Sequence, residues 1–188
     1  MENGKEKSKT PVAEYSRLDR ILMHKGVIVD FYADKVQIPN GNVATWDFIG
    51  HKGAAAIVPV DEDGKILMVR QYRNAIDRYT LEIPAGGLEP GEDTKFCAAR
   101  ELEEETGYRS EHVEHLIDMY TTVAFCNEKI DIYYATNLIP SKQNLDEDEF
   151  INVERYSVEE LTQMILNGTI QDGKTISAIL AYKAKAGL

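Results

Sequence analysis

Residues 86–108 read GGLEPGEDTKFCAARELEEETGY, and no other stretch constrains the fold as tightly. Pro90-Gly91 signals a turn, and Asp93 or Thr94 can cap a helix starting there. Residues 94–106 are good helix formers with no Pro or Gly. Gly107 stands where a helix favours a left-handed residue just past its end. The pattern predicts a helix over 94–106. On it Glu101 and Glu105 are four apart and Glu101 and Glu104 three apart, which sets three carboxylates on one stripe. Cys97 and Ala98 lie on the same side one turn earlier, small enough for the helix backbone to approach another element closely.

Like charges on one stripe repel unless something neutralises them. Hard divalent cations do so, and Mg²⁺ in particular takes carboxylate oxygens together with water and substrate phosphate. Arg100, four residues before Glu104, can hold one glutamate by a charge-assisted pair. Gly86 and Gly87 let the chain bend tightly, so that a backbone carbonyl can reach a metal. Glutamate spacing alone describes a solvated helix face equally well. The complete pattern does not: Gly86, Glu92, Arg100-Glu101-Leu102, Glu104-Glu105 and Gly107-Tyr108 specify nine positions. Such a set matches by chance at roughly 10⁻⁹ to 10⁻⁸ per start site.

The remaining sequence supplies a body for this helix. At 188 residues and 43% hydrophobic content, the chain can bury one good core, with room for a small addition. A net charge of −11 argues against a nucleic-acid-binding surface, though not against a small anionic substrate whose charge a metal would meet. Two cysteines, Cys97 and Cys126, exclude a disulfide framework. No apolar leader or membrane-length run is present, so a cytoplasmic protein with no membrane partner is expected.

Residues 1–12 read as disordered. Residues 26–37 and 42–49 alternate around Pro39-Asn40-Gly41 as a β-hairpin, giving a small N-terminal sheet region over 13–50. Residues 54–73 read as two strands around an Asp-Gly turn, and Tyr79 to Pro84 as a third. Residues 112–125 and 129–139 alternate as further strands. Residues 141–149 form an acidic loop, and Val158–Asn167 and Lys174–Lys185 read as helices. Strands, a helix, more strands and then helices predict an α/β sandwich with a mixed sheet over 51–188.

The nine-position pattern is that of the Nudix box, and the chain resembles the Nudix hydrolase superfamily. That resemblance implies an α/β/α sandwich with a mixed sheet, joined here by the small N-terminal antiparallel sheet. It also implies Mg²⁺ (or Mn²⁺) and hydrolysis of a nucleoside diphosphate linked to another group. Val69-Arg70-Gln71-Tyr72-Arg73, Leu81-Glu82-Ile83-Pro84-Ala85-Gly86 and Asp146-Glu147-Asp148-Glu149-Phe150-Ile151 are similar to segments of ADP-ribose pyrophosphatases. Position by position, the resemblance implies metal ligation by the Ala85 carbonyl, Glu101 and Glu105, with Glu104 in or near the shell and Glu149 joining from the acidic loop. Glu147 is the implied choice for activating water, with a box glutamate (Glu104 or Glu101) the rival. Arg73 and Glu82 resemble substrate contacts, while Gly86, Glu92, Arg100 and Gly107 have structural places in the motif. A homodimer is also implied, its N-terminal sheet reaching toward the partner's site.

Two segments depart from the subfamily. Thr122-Val123-Ala124-Phe125 stands where Ser-Pro-Gly-Phe is usual, and Trp46-Asp47 where Arg-Glu is frequent. Trp46, the only tryptophan, can stack on a substrate ring or pack at the sheet. ADP-ribose, cleaved to AMP and ribose 5-phosphate, is the first expected substrate. GDP-mannose or a dinucleoside polyphosphate is the enzymatic alternative, and a non-catalytic ADP-ribose sensor the alternative of another class.

Overall fold

The computed structural model describes residues 14–145, 147 and 149–188. The stretch expected to be unstructured, residues 1–12, and Asp146 and Asp148 of the acidic loop lie outside the described residues. The chain divides into two compact units after Gly50.

The first unit is an antiparallel three-stranded sheet of β1 (Ser16–Lys25), β2 (Asp30–Gln37) and β3 (Val43–Gly50), with β2 central. The β2–β3 hairpin turns through Gly41, which has φ 87°, and its closing bonds run Ile38 N–H to Asn42 O and Gly41 N–H to Ile38 O. Sequence pattern places a strand from residue 26, whereas β2 begins at Asp30. Gly26–Val29 instead form a turn closed by Gly26 N–H to Val29 O at 3.1 Å. Sequence pattern does not reveal β1, because two register shifts, at Arg17/Asp19 and Leu22/His24, break its alternation.

The second unit holds the main sheet, ordered β7–β4–β10–β9: β4 (Ala54–Pro59), β7 (Ala85–Gly87), β9 (His112–Tyr120) and β10 (Lys129–Thr136). The sheet is mixed, since β10 runs parallel to β4 and antiparallel to β9. An antiparallel sheet, β12–β5–β6, is built from β5 (Ile66–Arg73), β6 (Arg78–Glu82) and β12 (Asn152–Tyr156). A two-residue pairing joins β8 (Tyr108–Arg109) to β11 (Ile139–Pro140). The helices are α1 (Thr94–Thr106), α2 (Val158–Leu166) and α3 (Gly173–Ala186).

Every residue of β4 is buried, as expected of a strand covered on both faces. Ala54, Ala56 and Val58 pack with Leu161, Ala178 and Ile179 of α2 and α3. Ala55 and Ile57 pack with Cys97, Ala98 and Leu102 of α1. Alternate residues of one strand thus feed two cores, and the unit is an α/β/α sandwich. α1 spans the residues its sequence predicts, with Asp93 as N-cap (it accepts from Lys95 N–H) and Gly107 at φ 72° closing it. Strand β10 stops at Thr136 because Asn137 turns left-handed at φ 54°. Residues 121–125, expected to continue β9, turn instead, with Cys126 N–H bonded to Thr122 O. Among the described residues, no helix is long and apolar enough to cross a membrane.

Because Ala98 and Ala55 are both fully buried where α1 meets β4, added volume has no room. Ala98→Leu should destabilise the unit by about 1–3 kcal/mol, read as a lower midpoint in urea denaturation; an unchanged midpoint would refute this packing.

Candidate metal-binding active site

The inward stripe of α1 holds Cys97, Ala98, Glu101, Leu102, Glu105 and Thr106. Apolar residues belong on such a stripe, and buried carboxylates do not unless they are paired or functional. Glu101 is only 8% exposed and Glu105 only 2%. Burial, opposed by Arg100 and assisted by the charges of Glu104 and Glu149, pushes Glu101 up to about 7. Burial, then the neighbouring charge of Glu101, pushes Glu105 up to about 8. Glu149 acts on both, so the acidic loop brings its charge to the pair. Glu147 sits in a turn and is exposed.

The backbone around these carboxylates is built tightly. Ala85 N–H donates to Glu105 Oε2 at 3.0 Å. A Cβ on Gly86 would collide with the Glu101 carboxylate, so any other residue there would push that carboxylate out of its place. Arg100 is the hub: it grips Glu92 through two bonds of 2.9 and 3.0 Å, and donates to Glu101 Oε1 at 2.7 Å and Glu104 Oε2 at 2.9 Å. It also reaches the Gly87 carbonyl at 3.2 Å. The Arg100 bond, aided by Glu89 N–H, holds Glu92 down at about 2. Glu104, at the rim of the stripe, is half-buried.

Beside this lies a second charged cluster. Glu82, 2% exposed, accepts from Arg73 at 2.8 and 2.7 Å, from Thr80 Oγ1 at 2.6 Å, and from Lys174 Nζ. Burial alone would raise its carboxyl, but Arg73 and Lys174 hold it down at about 2. Arg73 and Lys174 each feel or exert charge at Glu105, which ties the two clusters together. Sequence pattern does not single out Lys174, Thr80, Asp172 or Thr175. A helix-start Asp followed by Lys and Thr reads as an ordinary cap, and only the fold brings Lys174 to Glu82. Trp46 is in the first unit, exposed, with Tyr15 5.9 Å from its ring.

Among the described residues, no three His, Cys, Asp or Glu side chains form a group that could hold a metal. Arg100 draws an oxygen of Glu101 and of Glu104 to itself. The buried carboxylates that could hold a cation are Glu101 and Glu105, with the adjoining Ala85 backbone, while Glu104 stands at the rim. A set with so few protein ligands suits Mg²⁺, which keeps several waters and takes the rest of its shell from substrate phosphate. Two desolvated carboxylates, one of them raised further by the charge of the other, also need the compensation a cation brings.

Residues 50–179 match the NUDIX domain family. The chain is 37% identical over 165 residues to an ADP-ribose pyrophosphatase of Bacillus subtilis, covering 87% of this chain and 89% of that one. It is 41% identical over 157 residues to a methanol dehydrogenase activator of Bacillus methanolicus, covering 82% and 84%. A crystal structure of an ADP compounds hydrolase superposes with a TM-score of 0.83 at 19% identity, covering 94% of this chain and 96% of that one, a likeness of fold. The chain belongs to the Nudix family and is a Nudix pyrophosphohydrolase of the ADP-ribose pyrophosphatase type.

The raised carboxyls make stability depend on pH in a definite sense. Folded Glu101 and Glu105 keep their protons up to about 7 and 8, while unfolded glutamates release theirs near 4.5. The folded state then binds more protons, so metal-free stability falls as pH rises from about 4.5 to about 8. Glu82, held at about 2, gives the opposite slope only below 4.5. In chelator-treated protein, the loss between pH 5 and pH 8 should exceed about 1.4 kcal/mol, the worth of one pKa unit. Excess Mg²⁺ should flatten it, and Glu105→Gln should reduce it to the share that Glu101 contributes. A metal-free profile already flat over that window would contradict the burial of this pair.

Proposed function

We propose that this Nudix hydrolase uses Mg²⁺ (or Mn²⁺) to split ADP-ribose into AMP and ribose 5-phosphate. The observation that carries the reading is the buried Glu101–Glu105 pair beside Ala85. The ADP-ribose pyrophosphatase among the relatives supports the choice of substrate.

A bound divalent cation would neutralise the pyrophosphate oxygens and lower the pKa of a water. The chain's residues do the rest by position and charge. Glu101, Glu105 and the Ala85 carbonyl hold the cation, with Glu104 at the rim and Glu149 adding its charge from the loop. Arg100, fixed by Glu92, keeps Glu101 and Glu104 from swinging away. Glu147, whose carboxylate is exposed, accepts the proton of the attacking water. Water adds to one phosphorus, the bridging oxygen leaves with the other phosphate, and the proton passes to the base. Arg73, anchored by Glu82 and still partly exposed, offers its guanidinium to the substrate.

Two features go with this reading. The N-terminal sheet region exposes Tyr15, Leu18, Leu22, Met23, Val43 and Trp46, and large exposed apolar surfaces mark interaction sites. A second copy covering part of this face makes the enzyme a homodimer and leaves Trp46 to stack on a substrate ring. Free thiols at Cys97 and Cys126 suit the reducing cytoplasm.

Glu101→Gln and Glu105→Gln should each cut turnover by orders of magnitude with the fold intact by circular dichroism; near-wild-type rates in either would remove that residue from the metal site. Glu147→Gln should lower kcat about 10²- to 10⁴-fold with Mg²⁺ affinity unchanged by calorimetry. Normal turnover would pass the base role to Glu104 or Glu101. A panel of ADP-ribose, GDP-mannose and dinucleoside polyphosphates, run in ¹⁸O water, should give the highest kcat/KM for ADP-ribose; a preference for another member would reassign the substrate.

The relative named as a methanol dehydrogenase activator favours a second reading, in which the same hydrolysis serves to activate such a dehydrogenase. Added to purified methanol dehydrogenase, the chain would then raise alcohol oxidation, and Glu105→Gln would not.

A further inference from the structure

The segment Glu82–Ile83–Pro84–Ala85 leaves the antiparallel sheet at the end of β6 and enters the mixed sheet as β7. It must be placed accurately, because Ala85 supplies backbone to the candidate metal site. Three successive anchors hold it, each from a different element. Ile83 N–H donates to Thr175 Oγ1 of α3 at 3.1 Å. Ile57 N–H of β4 donates to the Pro84 carbonyl at 3.0 Å. Ala85 N–H donates to Glu105 of α1 at 3.0 Å.

The α3 anchor is the unusual one. Thr175 is fully buried, and its hydroxyl has its own direction fixed. Oγ1 donates to Asp172 Oδ2 at 2.6 Å and so presents its lone pair to Ile83 N–H. Asp172 Oδ2 also accepts from Thr175 N–H at 3.0 Å, which makes it the N-cap of α3, and from Lys174 Nζ at 2.9 Å. Lys174 Nζ then bonds Glu82, the residue before Ile83. The start of α3 therefore grips two consecutive residues of the crossing segment, one by side chain and one by backbone. An N-cap alone needs only Asp172 and the Thr175 amide. Neither the Thr175 hydroxyl nor the Lys174 ammonium is required for that, and both also bond the crossing segment.

We propose that Thr175 is a positioning residue, which through Ile83 fixes the backbone of Ala85 and thereby the metal site, with Asp172 and Lys174 orienting it. The inference rests on the metal-site reading above for its functional consequence, and on hydrogen-bond geometry for its structural one. Groups that orient metal ligands from behind change metal affinity or activity by roughly 10- to 100-fold when removed. Thr175→Val keeps the volume and deletes the hydroxyl, which leaves the buried Ile83 N–H without its acceptor and takes from Asp172 Oδ2 one of its three bonds.

The test combines calorimetric titration of full-length protein with Mn²⁺ alone and amide hydrogen exchange at Ala85. The amide of Ile132 in β10 serves as the control for global stability. In Thr175→Val, Mn²⁺ should bind roughly tenfold or more weakly, and the Ala85 amide should exchange faster relative to Ile132. Thr175→Ser, which keeps the hydroxyl, should restore both. If Thr175→Val does not fold, Thr175→Cys retains a weak acceptor of similar size and should fall between wild type and the full loss. A folded Thr175→Val, or a Thr175→Cys in its stead, with wild-type Mn²⁺ affinity and wild-type Ala85 protection would overturn the proposal. So would a fall in overall stability alone. Should wild-type protein take up no Mn²⁺, the metal-site reading fails. The Ala85 amide then decides the positioning role by itself, and unchanged protection rejects it.

Discussion

Two carboxylates lie where a helix ordinarily places leucines. Glu101 and Glu105 share the inner stripe of α1 with Cys97, Ala98 and Leu102, and burial makes their charged forms costly. Packing alone gives no reason for such residues there, since apolar side chains of similar size would stabilise the interface better. The arrangement makes sense as a site held ready for positive charge. Much of the nearby structure serves to keep these two groups in place before that charge arrives.

The frame works at two distances. Close by, Arg100 joins Glu92, Glu101, Glu104 and the Gly87 carbonyl through one guanidinium, which ties the turn before α1 to the helix itself. Gly86 lets that turn pass the Glu101 carboxylate, where any Cβ would collide. Farther out, Glu82 collects Arg73, Thr80 and Lys174 into a compact ionic cluster at the end of β6. A buried ion pair of this kind adds little stability over an apolar replacement, but losing one partner is expensive. Its contribution is definition: it sets where the β6–β7 crossing begins, while Thr175 and Ile57 set where it goes.

Most of this architecture was legible from residue patterns because the relevant signals are local. Asp93, a helix-forming run and Gly107 delimit α1, and the structure places its ends at Thr94 and Thr106. The apolar run of β4 before an Asp-Gly turn reads as a strand, and the structure buries every residue of it. Elements set by distant partners were not legible. β1 has bulges that spoil alternation, and β12 exists only because β5 lies beside it. Glu spacing put Glu101, Glu104 and Glu105 on one stripe. Only packing separates the buried Glu101 and Glu105 from Glu104 at the rim. The convergence of Lys174 on Glu82 spans 92 residues of sequence, and no local pattern carries it.

Diffraction from crystals soaked in Mn²⁺, recorded at a wavelength where manganese scatters anomalously, would locate the cation directly. An anomalous peak is expected within coordinating distance of the Ala85 carbonyl and the carboxylates of Glu101 and Glu105. A peak elsewhere, or none while Arg100 still holds Glu101, would contradict it.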